Sequence, residues 1–172
     1  MTNIHPRPST YEDGALSTAG DRTVICFERH LNHPVERVWR AVTEPTELQR
    51  WFVSEVPWKP EAGEVFEAAG ETGRIVTLEP PHVIVWTWGV ERYSFELTPD
   101  GHGCVLVFTH VFNPDLGPGW QHAAGWETYL DRLDAHLAGG FLSEEDAHAG
   151  IDDLMKRYRE IFEAGREPEP RT

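Results

Sequence analysis

The sequence is poor in basic residues and has no long apolar run. Its 172 residues contain 15 Lys and Arg against 29 Asp and Glu, which gives a formal net charge of -14. A surface of that sign repels phosphate backbones and anionic lipids, which argues against nucleic acid and membrane partners. No apolar stretch reaches the roughly 18 residues of a membrane span, and residues 1–20 lack the basic start and apolar run of a signal peptide. These absences predict a soluble cytoplasmic protein.

Cysteine is also scarce. The two cysteines, Cys26 and Cys104, lie far apart in apolar strand-like segments, which fits buried reduced thiols better than a disulfide. The common signatures HExxH, CxxC, GxxxxGK and GxSxG are absent. Among the nine histidines, only His110 with His122 is a pairing to consider for a metal. The sequence therefore predicts neither a cofactor nor a metal site.

The chain divides into one domain with additions at both ends. Residues 1–21 carry prolines and glycines with little apolar content and are predicted to form a flexible N-terminal arm. Residues 22–140 are predicted to form the domain and residues 141–165 an additional helix. Residues 166–172 are predicted to be a disordered tail, because Pro168 and Pro170 prevent a helix from continuing.

A strand, two short helices and a β-meander are predicted over residues 23–112 of the domain. Residues 23–31 are rich in β-formers, and Pro34 follows at the start of a helix whose apolar residues are Val35, Val38, Trp39 and Val42. Pro45 ends that helix and opens a shorter one through Leu48, Trp51 and Phe52. Turn residues then separate predicted strands at 63–68, 73–79, 82–88, 92–98 and 104–112.

Two helices are predicted after the meander. Residues 119–137 place Trp126, Leu130, Leu133 and Leu137 on one stripe, which is typical of a helix covering one face of a sheet. Gly139 and Gly140 end this helix. A second helix is predicted from Ser143 to Ala164. It packs either on the domain or on a partner subunit, so a homodimer is an open prediction.

Several segments resemble one known family. They are residues 28–41, reading Glu-Arg-His-Leu-Asn-His-Pro-Val-Glu-Arg-Val-Trp-Arg-Ala, then Thr43-Glu44-Pro45, Trp51-Phe52, residues 83–88, residues 108–110 and residues 122–126. Together they resemble the START-like (SRPBCC) superfamily, in the branch related to activators of the heat-shock-protein-90 ATPase, over residues 23–140. The resemblance implies an α+β helix-grip fold, in which a curved antiparallel sheet of about six strands wraps around a long C-terminal helix. It also implies a cavity between the sheet and that helix.

Aromatic residues are the main candidates for lining this cavity. The sequence contains seven tryptophans, and the elements that face the cavity supply rings that suit an apolar small-molecule pocket. The alternative is that these rings simply fill the core. The predicted aromatic ligand-binding residues are Trp51, Phe52, Trp58, Phe66, Trp86, Trp88, Tyr93, Phe95, Phe112, Trp120, Trp126 and Tyr129.

The polar candidates are Arg29, Arg92, His110, His122, Glu127 and Tyr129, of which Arg29, His110 and Tyr129 are predicted to orient the ligand. Arg29 shares the parity of Ile25 and Phe27, which places it at the inward face, where it requires either a ligand or a glutamate such as Glu64. His110 shares the parity of Phe108 and Phe112 and therefore points either into the cavity or to a satisfied core partner.

These residues predict a binding module for a hydrophobic or aromatic small molecule, with a lipid or polyketide-like compound as the expected class. A second hypothesis is a protein-interaction role with a chaperone partner, like that of the family's ATPase activators. A third is a cavity enzyme, such as a cyclase or hydrolase, with His110, Tyr129 and Glu127 as the candidate groups.

Overall fold

The computed structural model describes residues 11–164, which contain seven strands and five α-helices. The strands are β1 (Ala15–Ala19), β2 (Arg22–Leu31), β3 (Val65–Ala68), β4 (Glu71–Glu79), β5 (Val83–Trp88), β6 (Glu91–Asp100) and β7 (Gly103–Phe112). The helices are α1 (Val35–Thr43), α2 (Pro45–Leu48), α3 (Gly119–Leu137), α4 (Glu144–His148) and α5 (Ile151–Ala164). A short 3-10 helix, Pro114–Leu116, precedes α3.

All seven strands form one curved antiparallel sheet in the order β1-β2-β7-β6-β5-β4-β3. β3 to β7 form a meander, in which each strand pairs with the next. β2 pairs with β7, which is distant from it in the sequence. The long helix α3 lies against the inward face of this sheet. The predicted α+β helix-grip fold is therefore confirmed, with one strand more than the sequence indicated.

The register of the sheet aligns inward-facing side chains in rows. Tyr93 of β6 lies opposite Trp86 of β5 on one side and opposite His110 of β7 on the other. His110 in turn lies opposite Ile25 of β2. All four are buried, as expected for alternate residues on the covered face of an antiparallel sheet. This row leads directly to the candidate site.

Helix α3 covers the inward face, and its bounds are those that the sequence predicts. The predicted stripe is buried along the whole helix, at Trp126, Leu130, Leu133 and Leu137. The helix ends before Gly139, whose φ of 84° lies in the left-handed region that favours glycine. Gly140 N–H then donates to the Ala135 carbonyl at 2.8 Å, which satisfies a carbonyl of the last turn.

The segment after α3 forms two helices where the sequence predicts one. Ser143 caps α4, because its Oγ accepts the Asp146 N–H at 3.0 Å. Gly150, a poor helix former, separates α4 from α5. α5 packs on α3 of the same chain and buries Tyr158 completely. Within residues 11–164, no helix is long and apolar enough to cross a membrane.

Part of the predicted N-terminal arm is an edge strand. β1 pairs with β2 so that Ala19 lies opposite Arg22, and the connecting loop is Gly20-Asp21. A two-residue loop with glycine first is typical of β-hairpins. Every side chain of β1 is exposed, so no buried periodicity marks this strand in the sequence. The remaining calls at the ends, residues 1–10 of the arm and the tail 166–172, lie outside the described residues.

The two cysteines are free thiols at different levels of the β2–β7 ladder. Cys26 lies opposite Thr109, whereas Cys104 lies opposite Leu31. Burial, with a smaller contribution from Glu36, raises the pKa of the Cys104 thiol to about 11. A thiol with a pKa this high carries little thiolate at neutral pH and is a poor nucleophile.

Candidate ligand-binding site

A cavity of about 520 Å³ lies at one end of the grip, between the sheet, α3 and the α4–α5 segment. This volume is in the range of small-molecule pockets. The sheet and its turns contribute Ala69, Glu71, Trp88, Glu91, Tyr93 and His110 to the lining. The helices contribute Gln121, His122, Gly125, Trp126, Tyr129, His148, Ile151 and Met155, and connecting segments contribute Val53 and Leu116.

His110 is fixed in one tautomer by two partners. The Trp126 indole, which can only donate, gives its Nε1–H to His110 Nδ1 at 2.9 Å. His110 Nε2 must then carry the proton, which it donates to Glu91 Oε1 at 2.8 Å. Burial lowers the pKa of His110 by more than Glu91 raises it. The imidazole is therefore neutral at physiological pH, and both its nitrogens are occupied.

Glu91 places a carboxylate on the inward face beside Tyr93. Burial raises the pKa of Glu91, but the interactions with His110, Tyr93 and His122 together outweigh burial and hold it below its usual range. Burial and Glu91 both raise the pKa of Tyr93. The Tyr93 ring stacks on His110, with centroids 4.4 Å apart. This wall of the cavity thus holds one ionised carboxylate and two neutral rings.

One face of α3 forms the opposite wall. His122, Gly125, Trp126 and Tyr129 follow the i, i+3, i+4, i+7 spacing of residues that share a helix face. His122 Nε2–H donates to the Leu116 carbonyl at 3.1 Å. This contact links the beginning of α3 to the segment that follows β7.

Helix α4 closes the outer side of the cavity. Tyr129 Oη donates to Glu144 Oε1 at 2.5 Å, and the His148 ring meets the Tyr129 ring edge-on at 5.5 Å. Burial and Glu144 raise the pKa of Tyr129, so its hydroxyl remains protonated at neutral pH. The α4 segment is thereby attached to the face of α3 that lines the cavity.

Only part of the predicted ligand-binding set meets in this cavity, namely Trp88, Tyr93, His110, His122, Trp126 and Tyr129. The centre of the grip, where the sequence analysis expects the cavity, is filled by side chains. There the rings pack edge-to-face and tilted, as in the Trp58–Trp86 pair with centroids 5.4 Å apart. The predicted residues that do not line the cavity but fill the core are Trp51, Phe52, Trp58, Phe66, Trp86, Phe95 and Phe112. Trp120 lies on a separate groove beside Phe162.

Arg29 also lies away from the cavity. Its side chain is buried under the N-terminal segment, where Nη1 donates to the Glu12 carbonyl at 2.9 Å and the guanidinium lies over the Tyr11 ring. Its Nη2 lies 4.0 Å from Oε1 of Glu127, a different glutamate from the predicted Glu64. Arg29 therefore stabilises the contact between β2 and α3 and does not orient a ligand in this cavity.

Glu91 is a lining residue that was not predicted, although its position in the sequence carries a signal for it. Glu91 has the same parity as Tyr93 and Phe95, which indicates a carboxylate on the buried face of β6. The predicted strand begins one residue later, at Arg92, and therefore does not include Glu91. The other missed lining residues, such as Gln121, His148 and Met155, depend on how α3, α4 and α5 pack around the cavity.

The groups predicted for catalysis are not assembled in one place. His110 has no nitrogen available as a base, and Glu127 is fully buried and does not line the cavity. The third candidate, Tyr129, lines the cavity and lies outside the His110 hydrogen-bond network. Its hydroxyl is hydrogen-bonded to Glu144. In the described part of the chain, no group of three or more His, Cys, Asp or Glu side chains is placed to hold a metal.

Comparison with known families identifies the class of protein. The family model described as "Activator of Hsp90 ATPase homolog 1-like protein" matches residues 32–138. The chain belongs to this family, as the resemblance in its sequence indicates. No curated protein gives a significant match.

Solved structures share the fold over nearly the whole chain. The solution structure of CalU16 from Micromonospora echinospora has a TM-score of 0.74 at 20% identity, covering 93% of this chain and 100% of that one. The crystal structure of the same protein gives 0.68 at 24% identity, covering 88% and 93%. A protein of unknown function from Enterococcus faecalis, EF2215, gives 0.72 at 18% identity, covering 90% and 92%. At these identities the likeness concerns the fold alone.

Proposed function

We propose that the protein binds an apolar or aromatic small molecule in the cavity at the end of the grip, and stores, sequesters or presents it. Trp88, Trp126 and Tyr129 supply aromatic surface for burial of the ligand, and a few polar groups between them set its orientation. Membership of the family supports the fold on which this site is built, whereas the argument for binding rests on the residues of the site.

The observation that carries the proposal is a glycine in the middle of α3. Gly125 lies on the cavity face of the helix, between His122 and Tyr129. Glycine within a helix is less stable than alanine by about 0.5–1 kcal/mol. A Cβ at this position would meet no atom within 4 Å, so no neighbour requires the side chain to be missing. The missing side chain keeps the cavity open, which benefits a ligand and weakens the helix.

The Gly125→Leu variant tests this proposal. The added side chain is expected to fill part of the cavity and to cover apolar wall that a ligand would otherwise contact. Binding of a naphthalene probe, naphthalen-1-ylmethanol, should therefore weaken by at least about tenfold. The melting temperature should not fall, since leucine favours the helix more than glycine does. Binding is measured by quenching of tryptophan fluorescence and by the thermal shift. Native mass spectrometry of freshly purified protein checks for a bound molecule.

Ala138→Leu is the matched control. It adds the same side chain type to the exposed C-terminal end of α3, away from the cavity, and should bind the probe as the wild type does. Equal binding by Gly125→Leu and wild type would place the ligand elsewhere. If the wild type carries no molecule and binds none of the cationic, neutral and anionic naphthalene probes described below, the proposal fails and a protein partner becomes the better account.

A further inference from the structure

Among its described residues, the cavity lining contains carboxylates but neither lysine nor arginine, and its bases are three histidines, His110, His122 and His148. The carboxylates are those of Glu71 and Glu91. His110 does not offset this charge, because Trp126 occupies Nδ1 and keeps the ring neutral. An anionic ligand would have to enter against these carboxylates without a lysine or arginine to receive it.

Glu91 differs from Glu47 and Glu127, two other carboxylates that are partly or fully buried. Arg37 Nη1 lies 2.6 Å from Glu47 Oε1, and Arg29 Nη2 lies 4.0 Å from Glu127 Oε1. Glu91 instead receives hydrogen bonds from two neutral groups, the His110 imidazole and the Tyr93 hydroxyl. These bonds stabilise its negative charge without cancelling it.

Glu91 also retains the capacity to bind a cation. An ionised carboxylate has about four acceptor positions, and neutral donors occupy only part of them here. Its side chain is 24% exposed, next to the cavity. The Trp126 and Tyr129 rings line the same cavity with their centroids 5.8 Å apart, and aromatic faces attract ammonium groups.

We propose that the cavity selects molecules that carry a basic amine on an apolar or aromatic body, with the ammonium at Glu91 and the body against Trp126 and Tyr129. This inference rests on the proposed function, because it names the chemical class of the ligand at the same site. It disfavours fatty acids and other carboxylates as ligands.

Three probes with the same aromatic body separate charge from shape: naphthalen-1-ylmethylamine, which is cationic at neutral pH, naphthalen-1-ylmethanol and naphthalene-1-carboxylate. The full-length protein is titrated with each by tryptophan fluorescence. The amine is expected to bind about tenfold more tightly than the alcohol, as a charge-assisted hydrogen bond would give, and the carboxylate most weakly. The preference should decrease with added salt.

Glu91→Gln assigns the preference to one carboxylate. The glutamine amide oxygen still accepts from His110 Nε2–H, so the wall is expected to keep its shape while losing its charge. Binding of the amine should weaken by about tenfold, whereas binding of the alcohol should not change. Glu96→Gln is the matched control, since Glu96 lies on the same strand but is exposed on its other face. This variant should leave the preference intact.

The outcomes distinguish this inference from the function on which it rests. If Gly125→Leu weakens the binding of none of the three probes, the proposed function fails and the ligand class fails with it. If all three bind with equal affinity, the binding function stands and the selection of amines is overturned. Selection by Glu91 is also overturned if Glu91→Gln weakens all three probes equally, because the residue would then act on the shape of the wall.

Discussion

The charge state of His110 is set by its partner Trp126 as much as by burial. An imidazolium would need a proton on Nδ1, and that proton would point at the Trp126 N–H, which is a donor with no lone pair. Protonation therefore requires this hydrogen bond to break. Burial acts in the same direction by disfavouring the charged form, and Glu91 opposes both.

Trp126→Phe is expected to raise the pKa of His110 above its wild-type value. Phenylalanine keeps an aromatic ring in the wall but has no N–H, so Nδ1 becomes available for a proton beside the carboxylate of Glu91. The measurement is an NMR titration of the imidazole resonances. Trp120→Phe, which alters a ring outside this cavity, should leave the titration unchanged. An unaltered His110 titration in Trp126→Phe would mean that burial alone keeps the ring neutral.

β2 and β7 approach each other so closely at Gly103 that this position requires a glycine. β7 begins at Gly103, beside the end of β2 at Leu31. A Cβ on Gly103 would lie 2.3 Å from the Leu31 carbonyl oxygen. Since that oxygen belongs to the backbone, no side-chain rotation relieves the clash.

Gly103→Ala should therefore destabilise the protein by about 1–3 kcal/mol, as overpacking in a closed site typically does. Gly125→Ala makes the same change in open space on a helix and should stabilise by about 0.5–1 kcal/mol. Urea unfolding measures both free energies. A Gly103→Ala protein as stable as the wild type would show that the two strands separate at little cost.

Elements with one buried face were predictable from the sequence, and those without one were not. α3 and β6 carry clear periodicities, so Tyr93 and Trp126 could be assigned to the inward side. β1 buries no side chain and therefore left no pattern. The position of the cavity was not predictable, because the same aromatic periodicity describes rings such as Trp86 that fill the core and rings such as Trp88 that line the cavity. Which of the two occurs depends on how the helices at the end of the chain pack.

The two ends of the described chain meet at one buried polar cluster. Gly14 N–H donates to Tyr158 Oη at 2.9 Å, and the Tyr158 hydroxyl in turn contacts the Glu127 carboxylate of α3. Burial, together with Glu127, raises the pKa of Tyr158, so its hydroxyl is a stable donor. The cluster joins the N-terminal segment, α3 and α5. The beginning of α5 contributes Ile151 and Met155 to the cavity wall, so this cluster also supports the site from a distance.

Tyr158→Phe is expected to destabilise the protein by about 1–3 kcal/mol, because it leaves the buried Gly14 N–H and Glu127 carboxylate without the hydroxyl that both contact. Urea unfolding gives the free energy of unfolding of the variant. In the same variant, amide hydrogen exchange should be faster in α5 than in β6. Arg159→Gln is the control: it breaks an exposed ion pair with Glu163 on the same helix and should change stability by less than about 0.5 kcal/mol. If Tyr158→Phe were no less stable than this control, the hydroxyl would contribute little, and α5 would be held in place mainly by apolar packing such as that of the Tyr158 ring on Phe27 and Phe162.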